Sequence, residues 1–245
     1  MEGAIGALIL GLLLGLKHAT DADHVVAVST IVSEYRNPWR GIWIGASWGL
    51  GHTTPLIIVG TVILLMKESV AEKYEDIAPF LEFGVGIMLV LLGLQVFWNF
   101  RRRGIHVHEH EHAQDPHRHL HTHELTTKAE SHHGFFQPGR PFFRLKSYLI
   151  GVVHGLAGSG AVMLIVLATE TVSSFLMGLV YIILFGVGTI FSMGALTLLM
   201  GIPFSVSGRF ERVNRAIAGM AGTCSILFGL FLMYELAIVE GFYPK

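Results

Sequence analysis

The chain has 245 residues, of which 52% are hydrophobic and only 14% charged, and its mean hydropathy is +0.57. Soluble domains carry about 25% charged residues, so an ordinary soluble domain is excluded. A net charge of −1 offers no global field for nucleic acid, and the single cysteine, Cys224, excludes an internal disulfide or a two-thiol relay.

Taken in chain order, residues 3–16 are apolar but too short to cross a bilayer, which takes roughly 20 residues. The first span is therefore expected to run on through a charged motif to about Val32. Glu2 stands where a signal peptide would be basic, so no cleaved leader is expected. Runs 41–66, 77–100, 147–168, 173–204 and 216–239 follow. Six spans are expected, all helical, because a lone helix satisfies its own backbone in lipid.

Gly15-Leu16-Lys17-His18 resembles Gly151-Val152-Val153-His154 at an offset of 136. Trp48-Gly49-Leu50-Gly51 resembles Phe185-Gly186-Val187-Gly188 at 137, and Leu92-Gly93-Leu94 resembles Phe228-Gly229-Leu230 at 136. Three spans agreeing on one offset imply a repeat. An odd number of spans per half inverts the second half in the membrane. The expected fold is thus an all-α membrane protein with six transmembrane helices as a 3+3 inverted repeat. Its parts are residues 1–100 and 147–245, the two three-helix repeats, joined by a histidine-rich loop over 101–146.

Lysine and arginine favour the cytoplasmic side. The loops after the first, third and fifth spans hold thirteen of them, eight between Arg101 and Lys146, against Lys67, Lys73 and Lys245 opposite. This puts both termini outside and the histidine-rich loop in the cytoplasm of a multi-pass cell-membrane protein.

The first span contains His18-Ala19-Thr20-Asp21-Ala22-Asp23-His24. Ionisable groups at membrane depth are costly and mark function. At about 100° per residue, an unbroken helix puts His18, Asp21 and His24 on one stripe and Asp23 away from it. Either the helix unwinds here, or Asp23 orients an imidazole from outside the ligand set. Imidazole with carboxylate suits Ni, Co, Zn, Cu or Fe rather than Mg or Ca. The plainer alternative is a Lys17–Asp21 pair with the histidines bonded to neighbouring helices.

His52, in Leu50-Gly51-His52-Thr53-Thr54-Pro55, is the candidate ligand from a second helix. The small residues of His154-Gly155-Leu156-Ala157-Gly158-Ser159-Gly160 read as a tight crossing or a break, and His154 is as readily structural as ligating. Glu82, Asn99 and Glu170 lie near span ends, where reaching to water explains them. Ten histidines fall between His106 and His133 in a polar stretch, expected to be disordered and to bind metal weakly in several registers.

The Lys-His-Ala-x-Asp-Ala-Asp-His-Val stretch, with His18-x4-Asp23-His24 at its heart, resembles the signature of the NiCoT nickel/cobalt permeases. Leu50-Gly51-His52-Thr53 resembles their Leu-Gly-His-Ser/Thr segment. Typical members have eight spans with the signature in the second. Six spans and the His-Gly-Leu-Ala-Gly-Ser-Gly segment look more like the shorter urease-associated and HupE-like proteins of the wider group. The resemblance implies metal-binding roles for His18, Asp23, His24 and His52, with Asp21 on the same stripe. It implies a secondary transporter for Ni²⁺ and Co²⁺, most simply for uptake, with no catalytic cofactor and a cytoplasmic nickel chaperone as partner. Efflux, or a nickel-binding accessory that moves nothing, are the alternatives. An intramembrane metalloenzyme would need an open ligand position and a general base, and an enzyme is not expected.

Overall fold

The computed structural model describes residues 2–33, 38–66, 68–102, 106–110, 117–121, 143–158, 174–207 and 210–239. Its helices are α1 (Glu2–His18), α2 (Ala22–Val32), α3 (Pro38–Met66), α4 (Glu68–Arg102), α5 (Leu145–Leu156), α6 (Phe175–Val206) and α7 (Glu211–Tyr234). A π-helical turn, Glu235–Val239, extends the last. Among the described residues, four helices are long and apolar enough to cross a membrane: Pro38–Met66, Asp76–Arg101, Phe175–Val206 and Glu211–Ile238. The bent pair formed by α1 and α2 makes a fifth if it is one span. The expected run 147–168 is described only as far as Gly158, so its remainder lies outside the described residues.

The first span is not continuous. The axes on either side of residues 19–21 are bent by 52°. Thr20 N–H donates to the Lys17 carbonyl at 2.9 Å and Asp21 N–H to that of His18 at 3.1 Å, closing i→i+3 rings in place of helical i→i+4 ones. The Thr20 hydroxyl also takes the Lys17 carbonyl, at 2.6 Å. Asp21 then turns extended, φ −63° and ψ 152°, as the residue before α2. Short polar side chains compete for backbone partners in this way and end helices.

Apart from helices, the described residues hold one short antiparallel pair, β1 (His106–His110) and β2 (His117–His121), with His108 opposite His119. Alternation of period two is what a strand requires, and the loop expected to lack structure has this much of it. His108-Glu109-His110-Glu111-His112 also fits the spelling of a metalloprotease motif, which works by placing two histidines one turn apart on a helix. Residues 108–110 are in a strand rather than on the helix that motif requires, and His112 lies outside the described residues.

The helices approach closely because glycines remove the side chains between them. A Cβ at Gly15 would run into the Phe185 carbonyl, and one at Gly151 into that of Trp48. Likewise Gly51 lies against the Tyr148 carbonyl and Gly188 against that of Leu12. The α4–α7 seam repeats the device, with Gly86 against Gly229 and Gly93 against Gly222. Each contact has a counterpart when both residue numbers are moved by 136 or 137. Small residues at such crossings are what membrane helices use, since lipid offers no hydrophobic drive for association. Polar ties add to them: the Ser225 hydroxyl donates to the Leu89 carbonyl at 2.7 Å, and that of Ser192 to the Leu16 carbonyl at 2.9 Å. Trp48, Tyr181, Phe185 and Met193 fill the interior, while Leu91, Phe191, Leu199 and Leu227 lie on the outside. An outer surface this apolar needs a cover.

Candidate metal centre

Unwinding at residues 19–21 swings α2 so that its first turn meets α3 and α5. Four imidazoles come together there. The His24 ring lies 4.7 Å from that of His18, 4.9 Å from His52 and 4.2 Å from His154. His24, His52 and His154 are almost wholly buried and the side chain of His18 is 12% exposed.

Hydrogen bonds orient these rings. His18 Nδ1 donates to Asp21 Oδ2 at 2.9 Å, and His24 Nδ1 to Asp23 Oδ1 at 2.9 Å. A neutral imidazole protonated at Nδ1 presents its lone pair at Nε2. His18 Nε2 meets His52 Nε2 at 3.0 Å, one donating to the other. His24 Nε2 and His52 Nδ1 are buried with no hydrogen-bond partner. A carboxylate behind each of two imidazoles is the arrangement that fixes tautomer and aim at metal sites, and orphaned buried nitrogens call for a ligand of some kind.

Ligand atoms of His18, His24 and His52 lie within 4.8 Å of one another, as do those of Asp23, His24 and His154. The structure thus brings four of the five residues picked out by sequence, His18, Asp23, His24 and His52, into these groups. Asp21 sits behind His18, and its other oxygen faces Lys17 Nζ at 3.7 Å. That exposed ion pair contributes about 0–1 kcal/mol.

Two residues stand out beyond those the sequence assigned to the metal: His154, left open there between a structural and a ligating role, and Glu82. His154 Nε2 donates to Asp23 Oδ2 at 2.7 Å, across 131 residues of chain. Only the repeat offset, which pairs His154 with His18, pointed to it. Glu82 lies on the wall of a cavity of about 630 Å³ that it shares with Lys17, His18, Asp23, His24 and His154. Its position near a span end concealed that role. His52, fully buried, is not on the cavity wall.

Neighbouring contacts fix the centre. The Trp48 ring lies 5.8 Å from that of His154, and Phe185 5.6 Å from His18. The Tyr74 hydroxyl donates to the Leu156 carbonyl at 2.9 Å, tying α4 to the end of α5 just beyond His154. Burial, then the charge of Glu82, pushes the Tyr74 hydroxyl up to about 12, so it stays a donor.

A nitrogen-rich, carboxylate-backed cluster at a broken helix suits a borderline divalent ion. Comparison with known proteins agrees. Residues 4–233 match the profile of the NicO family, described as high-affinity nickel-transport protein. The chain belongs to the NicO family. Among relatives, it is 39% identical over 239 residues to urease accessory protein UreH of Bacillus sp. (strain TB-90), covering 98% of this chain and 95% of that one. It is 25% identical to the chloroplast protein FOR GROWTH AND FERTILITY 1 of Arabidopsis thaliana, over 90% of this chain and 56% of that one. It is 29% identical to the high-affinity nickel transport protein of Cupriavidus necator, over 42% of this chain and 34% of that one. No solved structure matches. NicO membership and the apolar helices make this a membrane protein of the nickel-transport class, in agreement with the resemblance seen in its motif.

Proposed function

We propose that this NicO protein is a secondary transporter that takes Ni²⁺, and also Co²⁺, into the cell through a site formed by His18, His24 and His52, with Asp21 and Asp23 orienting the imidazoles. The observation that carries this reading is the cluster of buried imidazole nitrogens, three of them orphaned, at an unwound turn inside an apolar bundle. The ion is the cargo, and no catalytic cofactor or enzymatic step enters.

Six spans arranged as a 3+3 inverted repeat account for the paired glycine contacts at an offset of 136 or 137. They also place the site where the halves meet, which is where such transporters bind. The excess of Lys and Arg puts the termini outside and the histidine-rich loop in the cytoplasm, where it holds arriving nickel for a chaperone.

Purified protein in liposomes tests the reading. Nickel should accumulate inside, cobalt should compete, and magnesium should not. Cells expressing the protein should gain radioactive nickel, whereas an exporter lowers it. The name of the Bacillus relative favours one second reading, a membrane accessory that binds nickel without passing it. Liposomes that bind nickel but admit none would establish that instead.

A further inference from the structure

The two ligand groups share His24 but differ in chemistry and access. Asp23, His24 and His154 all line the cavity, and the group carries a carboxylate. The other group is made of three imidazoles, and its third member, His52, lies fully buried behind the cavity wall. His18 and His24 line the cavity too, so a hydrated divalent ion there reaches every member of the charged group but only two of the three imidazoles. A carboxylate offsets the loss of water that a divalent ion resists on leaving solvent. An all-imidazole group carries no such charge, and it discriminates against hard cations, which prefer oxygen.

We propose that the ion occupies two adjoining positions in turn: capture at Asp23, His24 and His154, then transfer to His18, His24 and His52. His154 is a metal ligand of the first position, in addition to its hydrogen bond with Asp23. Because His24 belongs to both groups, one ion occupies one position at a time, and movement between them exchanges the partners of that ring. The proposal rests on the transport reading above. It adds that Asp23 ligates during capture besides orienting the imidazoles, that His154 takes part in capture, and that His52 separates capture from passage.

The test is nickel flux in proteoliposomes together with nickel binding. Binding is measured on full-length chain whose ten histidines from His106 to His133 are replaced by asparagine, to remove the competing loop. His154→Gln keeps an N–H for Asp23 but is a poor nickel ligand. It should raise the half-saturating nickel concentration at least tenfold, with thermal unfolding of the protein unchanged. Wild-type half-saturation in His154→Gln would overturn the proposal, because a purely structural hydrogen bond is rescued by glutamine. His52→Ala should still bind one nickel per chain, within about tenfold of the parent affinity, while flux falls at least a hundredfold. Loss of all binding in a well-folded His52→Ala protein would also overturn it, since the first position would then not exist alone. Failure of the parent protein to move nickel would strike the transport reading instead.

Discussion

The candidate metal centre and the α4–α7 seam solve opposite problems with the same backbone. In the seam, Gly86, Gly93, Gly222 and Gly229 strip away side chains so that two unbroken helices touch, and one hydroxyl, from Ser225, bridges them. In the centre, the helix itself gives way at residues 19–21, and the freed chain carries ionisable groups to a buried point. Packing asks for continuity and smallness, whereas ion binding asks for interruption and charge. The contrast implies that substitutions at the centre change nickel handling far more than stability, and that substitutions in the seam do the reverse.

The largest effect is expected from His24→Ala, which removes the ring common to both ligand groups. Nickel flux into proteoliposomes should fall at least a hundredfold, while detergent-solubilised protein elutes and unfolds much as the parent does. Retained flux would dissolve the distinction between the two regions. Asp21→Asn comes next. Losing the partner that aims a ligating imidazole typically costs about 10–100-fold, so affinity for nickel measured by titration should drop by that factor. On the seam side, Gly93→Leu inserts a side chain where Gly222 already touches. Overpacking of this kind costs about 1–3 kcal/mol, read as a lowered unfolding temperature, with the folded fraction keeping its half-saturating nickel concentration. Ser225→Ala is the smallest. Interhelical hydrogen bonds in membranes average about 0.6 kcal/mol, so only a slight thermal shift and unaltered flux are expected.

Much of the fold was legible in the sequence because its signals are local. Apolar runs of the right length marked α3, α4, α6 and α7, and, of the glycines in the matched segments, Gly15, Gly51, Gly93, Gly151, Gly188 and Gly229 lie against facing carbonyls. Those glycines stand out in the sequence because such close approach leaves no room for a side chain at those points. The break in the first span was legible as one of two alternatives, because an unbroken helix would leave Asp23 off the stripe shared by His18, Asp21 and His24. Which carboxylate would face which imidazole was not. That depends on how far residues 19–21 unwind, and on Asp23 meeting His154, a partner no local pattern reveals. The place of Glu82 on the cavity wall was not legible either, since depth along a helix says nothing about which neighbours enclose a cavity.

The indole of Trp48, buried against His154, has an optical consequence. An open-shell nickel ion bound at the proposed site would sit beside that ring and drain its excited state, so Trp48's share of the ultraviolet emission is expected to dim as nickel is added. Occupancy can then be followed in real time without a dye.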